Sequence, residues 1–128
     1  MINVFYRTFF RIYAWFNNTI LGKGIKIKGF VQIFNKGKIV ISDNCQINSG
    51  VRYNPIGGDT ITRLVVRNGG EIIIKKNVGI SNSTLVSSAR ITIGENTIIG
   101  GSCKIWDTDF HPINFIDRLS KPEKNIKS

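Results

Sequence analysis

An aliphatic residue recurs every six positions through the middle of this sequence, and no other feature restricts the fold as strongly. The series comprises Ile27, Ile33 and Ile39, then Ile41 and Ile47, then Ile74, Ile80 and Val86, and finally Ile93, Ile99 and Ile105. A short strand and a two-residue corner return one side chain to the interior every six residues, and three such sides close a coil of about 18 residues. One repeat cannot bury its own aliphatic side chain, so the repeats must stack. The pattern predicts an all-β solenoid.

The period divides the chain into three segments. Residues 1–20 have helical periodicity, residues 21–107 carry the repeats, and residues 108–128 form a histidine-bearing loop and tail. Within the second segment, residues 53–73 keep the six-residue rule poorly, and loop signals with Gly and Pro bracket one strand at 61–66. We therefore expect a loop extruded from the coil there, on what is often the working face of a solenoid.

The first segment predicts an amphipathic helix rich in aromatic residues. One stripe consists of Ile2, Phe5, Phe9, Ile12 and Phe16, and Tyr6, Phe10 and Tyr13 widen it. Asn17 and Asn18 are expected to end the helix. Such a helix needs a partner, and two interpretations remain open. It caps the end of the solenoid, or residues 1–28 form a peripheral contact with an anionic membrane.

Charge is distributed unevenly. The net charge is +10, and residues 1–42 contain seven basic residues and no acidic one. This asymmetry favours an anionic partner, such as the phosphates of a cofactor, a membrane surface or an acidic polymer. Nucleic acid is not expected, because no recognition helix or aromatic RNA-binding motif accompanies the charge.

The two cysteines, Cys45 and Cys103, occupy the small fifth position of their repeats and are expected to be buried packing residues. With one histidine and no CxxC pair, no metal site is expected. No cleavage site follows the apolar N-terminus, and no uncharged run reaches the roughly 18 residues of a spanning helix. We expect a cytoplasmic protein that can also lie peripherally on the inner face of the membrane.

His111 is the only imidazole of the chain, and it follows directly on the last regular repeat within DTDFHP at 107–112. Histidine suits general-base catalysis on a hydroxyl because its ordinary pKa lies near neutrality. Asp107 and Asp109 are both close enough in sequence to orient the ring, and spacing does not choose between them.

The repeats together with residues 93–118 resemble the hexapeptide-repeat acyltransferases, in particular the galactoside, maltose and capsular-polysaccharide O-acetyltransferases. The matching positions are Ile93-Gly94-Glu95-Asn96, Asp107-Thr108-Asp109, His111-Pro112 and Arg118. The resemblance covers residues 21–118. It is specific for the superfamily and much less so for the substrate.

This resemblance implies a left-handed parallel β-helix, a homotrimer, and acetyl-CoA bound between subunits. It implies that His111 takes the proton of a sugar or surface-polysaccharide hydroxyl, which then attacks the thioester, while backbone N–H groups stabilise the oxyanion. Asp107, Asp109 and Arg118 become candidates for orienting or binding groups. Asn82 is the nearest counterpart of a substrate-contacting Asn that many members carry in an earlier repeat.

Family members continue past the histidine loop with further coils, which this sequence lacks. A second hypothesis is therefore a truncated, catalytically impaired β-helix that serves as a trimeric scaffold or binding remnant. The carbonic-anhydrase branch of the left-handed β-helices needs three histidines around zinc, and this chain has one.

Overall fold

The chain folds as a left-handed parallel β-helix behind an N-terminal α-helix, as the sequence predicted. The computed structural model describes residues 2–120 and Ile126, with the side chains of Ile2 and Asn3 excepted. The helix α1 spans Ile2–Phe16. Strands β1 (Thr19–Leu21), β2 (Lys26–Lys28) and β3 (Gln32–Asn35) form the first coil, and β4 (Lys38–Ile41), β5 (Gln46–Asn48) and β6 (Arg63–Val66) form the second. The third coil contains β7 (Glu71–Ile74), β8 (Gly79–Ser81) and β9 (Thr84–Ser87), and the fourth contains β10 (Arg90–Ile93), β11 (Ile98–Ile99) and β12 (Lys104–Trp106).

Each side of the solenoid is a parallel sheet with one strand from every coil. The orders are β1-β4-β7-β10, β2-β5-β8-β11 and β3-β6-β9-β12. Thr19 pairs with Ile39 and Ile72 with Ile91, so a coil without the extruded segment uses 19 or 20 residues, slightly more than predicted. The excess lies in the corners, which are longer than two residues at the turn between the first and second sheets.

The interior is filled by ladders of aliphatic side chains in register. Ile39, Ile72 and Ile91 form one, Ile41, Ile74 and Ile93 another, and Ile47, Ile80 and Ile99 a third. Each fully buried member contributes about 2–3 kcal/mol by leaving water. The prediction was wrong at Val86. On the third side of the solenoid the buried residue is Leu85, which is 0% exposed and pairs with Leu64. Val86 points outward, because side chains alternate along a strand.

Asparagine recurs at one corner for a conformational reason. Asn44, Asn77 and Asn96 all have φ between 59° and 63°, in the left-handed region that Asn tolerates better than most residues. The Asn77 Nδ2 also donates to Asn96 Oδ1 at 3.1 Å. The Asn of Ile93-Gly94-Glu95-Asn96 therefore serves the coil itself.

Helix α1 caps the first coil, but with a different face from the predicted stripe. Phe10 and Ala14 are 4% and 0% exposed in the core. The Tyr13 hydroxyl accepts from the Ile33 N–H at 2.9 Å, and the Tyr6 hydroxyl donates to the Gly29 carbonyl. The stripe residues Phe5, Phe9, Ile12 and Phe16 lie in solvent. The helical period alone did not distinguish between the two apolar faces, because both carry aromatic residues.

The segment boundaries differ in detail from the prediction. The helix ends at Phe16, before Asn17 and Asn18 as predicted, and the solenoid already begins at Thr19. The third segment contains a short helix, α2 (Phe115–Ser120). The extruded segment occupies residues 50–61, with a 3-10 turn at Pro55–Gly57, and residues 71–74 are a regular strand. Among residues 2–120, neither α1 nor α2 could span a lipid bilayer.

The two cysteines have different environments. Cys45 is buried as predicted, and burial raises the pKa of its thiol, which keeps it protonated. The prediction was wrong for Cys103, which is exposed. Cys103 belongs to the fourth coil, and among the described residues no further coil stacks on that corner.

Candidate functional site

His111 lies in a turn that begins where the last strand of the solenoid ends. Its ring is exposed, whereas Thr108 and Pro112 on either side are buried. The Thr108 Oγ1 accepts from the Phe110 N–H at 3.2 Å, and Phe110 itself has a φ of 61°. A bulky residue in the left-handed region is unusual and is held only where surrounding contacts require it. The turn thus presents the imidazole outward from a locally fixed backbone.

Arg118 braces this turn from α2. Its Nε donates to the Pro112 carbonyl at 3.1 Å, and Asn114 caps the helix by accepting from the Ile116 N–H at 2.9 Å. The cation is thus held against the residue after His111 by a charge-assisted hydrogen bond. Of the residues predicted from the sequence, Arg118 is the one whose contacts join it to the histidine turn.

Asp107 anchors the neighbouring corner of the third coil. Its carboxylate accepts from the Ser87 hydroxyl at 2.7 Å, from the Ser88 N–H at 2.6 Å and from the Ala89 N–H at 3.1 Å. Burial raises the pKa of this carboxyl, but the hydrogen bonds to Ser88, Ser87 and Ala89 together outweigh burial and lower it. Both oxygens are occupied by the main chain and side chain of the corner.

Replacing Asp107 by Asn should destabilise the protein in a pH-dependent way. A lowered folded-state pKa stabilises the protein above the unfolded-state pKa, and this contribution is lost as the pH falls through the folded-state value. We expect Asp107→Asn to lower the free energy of unfolding by about 1–2 kcal/mol near pH 7, a value discounted for partial exposure. The difference from the natural chain should shrink in acid. Urea unfolding of both proteins near pH 7 and in acid measures this difference.

Asp109→Asn is the matched control for that measurement. Asp109 is exposed and makes no hydrogen bond or ion pair within residues 2–120. We expect no change in the free energy of unfolding. Equal effects of the two substitutions would contradict the anchoring role of Asp107.

Asn82 holds the extruded segment against the solenoid. It is 0% exposed. Its Oδ1 accepts from the Gly50 N–H at 2.7 Å, and its Nδ2 donates to the Asn54 carbonyl at 2.8 Å. Asn82 was predicted to contact substrate, but both its Oδ1 and its Nδ2 are already hydrogen-bonded to the extruded segment.

The extruded segment reaches from the second coil across the third to the fourth. The Ser102 hydroxyl donates to the Gly57 carbonyl at 2.6 Å. A side chain at Gly101 would place its Cβ 2.6 Å from the Gly57 Cα, so the close approach requires glycine there. These contacts make the segment a fixed wall beside the fourth coil.

A polar cleft of about 200 Å³ lies between this wall and the side of the solenoid. Asp59 and Thr60 line it from the segment, and Cys103 and Lys104 line it from the fourth coil. Lys104 is the first residue of the three-residue strand β12, which spans about 10 Å, and His111 lies beyond its other end. A larger hollow of about 460 Å³ at Trp15, Phe16 and Ile20 contains no titratable side chain and belongs to the opposite end of the solenoid.

Sequence reasoning did not single out Asp59, Thr60 or Lys104. The available signal was the expectation that an extruded loop projects on the working face, which directs attention to its polar residues. The sequence could not indicate which residues line the opposite side of the cleft, because the contact that forms it joins residues about 45 positions apart, Gly57 and Ser102.

No hydrogen-bond partner orients the imidazole within the described residues. Within residues 2–120 and at Ile126, the His111 ring makes no hydrogen bond or ion pair, including with Asp107 or Asp109. In the same part of the chain, no three His, Cys, Asp or Glu side chains form a group that could hold a metal ion. The arrangement is an exposed imidazole on a braced turn.

No protein-family model, curated protein or solved structure matches this chain. The resemblance to the hexapeptide-repeat acyltransferases therefore rests on the quoted residues alone. Ile93 and Asn96 of that motif build the coil, and Asp107 anchors a corner. His111-Pro112 and Arg118 are the part of the resemblance that bears on chemistry.

Proposed function

We propose that the protein is an acetyl-CoA-dependent O-acetyltransferase that acts on a hydroxyl of a sugar or surface polysaccharide. The observation that carries the proposal is the exposed ring of His111 on a turn that Arg118 braces through Pro112, directly after a β-helix. The six-residue repeat and the His-Pro and Arg118 positions support the acyltransferase class over other uses of a solenoid.

In this proposal, His111 acts as the general base. A nitrogen of the ring accepts the proton of the acceptor hydroxyl while the oxygen attacks the thioester carbonyl carbon. The tetrahedral intermediate collapses with cleavage of the C–S bond. The thiolate then takes the proton from the imidazolium, so the products are the acetyl ester and the free thiol. Arg118 keeps the turn, and hence the ring, in position.

The basic surface supports acetyl-CoA as the co-substrate. Coenzyme A carries phosphate groups at one end, and phosphates are bound by lysine and arginine. Lys75, Lys76 and Lys104 are exposed on the third and fourth coils, away from the helix end of the solenoid. They provide cations within the half of the molecule that carries His111.

We further propose that the working form is a homotrimer in the cytoplasm, with coenzyme bound between subunits. The outward-facing Ile98 of the fourth coil is 84% exposed and Trp106 is 55% exposed. Side chains this apolar on the outer faces of strands favour burial against another subunit.

The test is release of coenzyme A thiol from acetyl-CoA in the presence of a panel of sugars. We expect release that depends on one class of acceptor and saturates with its concentration. Release at the same rate with and without every sugar would contradict transfer to a sugar hydroxyl. The absence of any release would contradict the transferase.

The second candidate is a non-catalytic trimeric scaffold or binding remnant. It is favoured by the lack of any carboxylate contact to the His111 ring within residues 2–120, since base catalysis usually employs an orienting partner. Calorimetry with coenzyme A separates the two. Micromolar binding supports the transferase, and no binding at millimolar concentrations supports the scaffold.

A further inference from the structure

The outward face of helix α1 is an unpartnered aromatic surface. Phe5, Trp15 and Phe16 are 81%, 72% and 73% exposed, and Phe9 and Ile12 are about half exposed. We call these five residues the outer face of α1. At 3.6 residues per turn, the stripe of Phe5, Phe9, Ile12 and Phe16 is centred roughly 120° around the helix from the face that packs on the core. The helix thus uses one apolar face as a cap and leaves another in water.

The capping contacts keep this surface rigid and outward. Phe10 and Ala14 are buried in the core, and the Tyr13 hydroxyl is bonded to the Ile33 main chain. Burying the outer face by rotating the helix would therefore expose the capping face. The surface continues onto the first coil, where the hollow beside Trp15 and Phe16 ends at the exposed Ile20.

Exposed cations lie at the same end of the molecule as the outer face. Arg7 and Arg11 lie on the side of α1 next to the first corner, where Arg11 donates to the Gly22 carbonyl at 3.1 Å, and Lys23, Lys26 and Lys28 follow on that corner and strand β2. All five are exposed, and the first acidic residue of the chain is Asp43. This end of the molecule therefore combines apolar and positive surface, and the first carboxylate along the chain, that of Asp43, reaches it only at the first corner, where it accepts from the Lys23 N–H at 2.8 Å.

This combination selects one occupant. A second copy of the same face would bring two sets of five cations together with only Asp43 of each copy to offset them, and like charges at an interface disfavour association. An anionic lipid bilayer satisfies both features, because aromatic rings partition into the interface and lipid phosphates attract the basic residues. We propose that the outer face of α1 docks the protein onto an anionic membrane surface. The helix then lies parallel to the bilayer, with the solenoid standing on the aqueous side.

This proposal is independent of the proposed catalytic function. It is tested on the full chain by flotation with vesicles of phosphatidylcholine alone, or of phosphatidylcholine and phosphatidylglycerol in equal parts. We expect binding to the mixed vesicles that weakens with added salt, and little binding to the neutral ones. Equal binding to both compositions, or none to either, would overturn the proposal.

Two variants separate the apolar and electrostatic contributions. Phe5→Ser combined with Phe16→Ser should reduce the partition coefficient at least tenfold, because two rings no longer enter the interface. Lys23→Gln combined with Lys26→Gln should reduce it about fivefold for each charge removed. Ile56→Ser is the control, since Ile56 is 93% exposed but lies on the extruded segment. It should bind like the natural chain.

Sedimentation of the same proteins without lipid tests the alternative that the outer face of α1 binds a second copy of the chain. The phenylalanine variant should have the same oligomeric state as the natural chain. If it instead lost self-association while vesicle binding was unchanged, the face would be an interface between copies and the membrane proposal would be overturned. Unchanged vesicle binding by the lysine variant would overturn it as well, whatever the folding of the phenylalanine variant.

Discussion

His111→Ala should lower the rate of acetyl transfer by about 100- to 10,000-fold, the usual contribution of a positioned general base. The effect should appear in kcat and in kcat/KM alike, because the proton moves only in the transition state. The ring is exposed and makes no hydrogen bond within residues 2–120, so its removal should leave the free energy of unfolding unchanged. Thiol release and urea unfolding of the same preparation measure the two quantities.

Arg118→Ala provides a companion measurement for that prediction. Arg118 contacts the Pro112 carbonyl and acts on the ring only through the backbone of the turn. We expect a smaller loss of activity than for His111→Ala, with partial rescue in Arg118→Lys because a donor is retained. Equal rates for the natural chain and His111→Ala would show that another group serves as the base.

Asn82→Ala should lower the free energy of unfolding by about 2 kcal/mol, since it leaves the partly buried Gly50 N–H without a partner and leaves the Asn54 carbonyl with only the Gly57 N–H at 3.3 Å. The extruded segment is then no longer fastened to the third coil. Trypsin cleavage at the exposed Arg52, within that segment, should accelerate. Urea unfolding and limited proteolysis test the two consequences.

Asn96→Ala is the control, because Asn96 has a positive φ of 63°, as Asn82 has one of 41°, but is exposed. It should cost about 1 kcal/mol, the strain of an alanine in the left-handed region. If Asn82→Ala raised KM for the acceptor without any loss of stability or change in proteolysis, Asn82 would be a substrate contact instead of a fastening of the loop.

The solenoid was predictable because its cause is local and repeated. A six-residue spacing determines which side chains can enter a common interior, and the ladders through Ile47, Ile80 and Ile99 follow it. The error at Val86 arose where two aliphatic residues are adjacent, since Leu85 and Val86 fit the composition equally well. The orientation of α1 was not predictable for a similar reason, because the pairs Phe9-Phe10 and Ile12-Tyr13 place apolar residues on both faces.

The candidate site was predictable only at its one chemically distinctive residue. His111 is the sole imidazole, so its place after the last repeat drew attention to it. The hydrogen-bonding partners of Asp107 and Asn82 are 18 to 32 positions away, in other coils. Their separation depends on the length of the extruded segment and on coil register. The spacing of residues that are neighbours in the sequence does not determine the length of that segment or the coil register.

Transfer of an isotopically labelled acetyl group from acetyl-CoA to a sugar, followed by mass spectrometry of the sugar, tests the central claim most directly. We expect one labelled acetyl group per acceptor, removable by mild alkali because it is an ester, and none with His111→Ala. A label that resists alkali would indicate transfer to nitrogen. A sugar that remains unlabelled would contradict the transferase and leave the scaffold or binding remnant as the account of this β-helix.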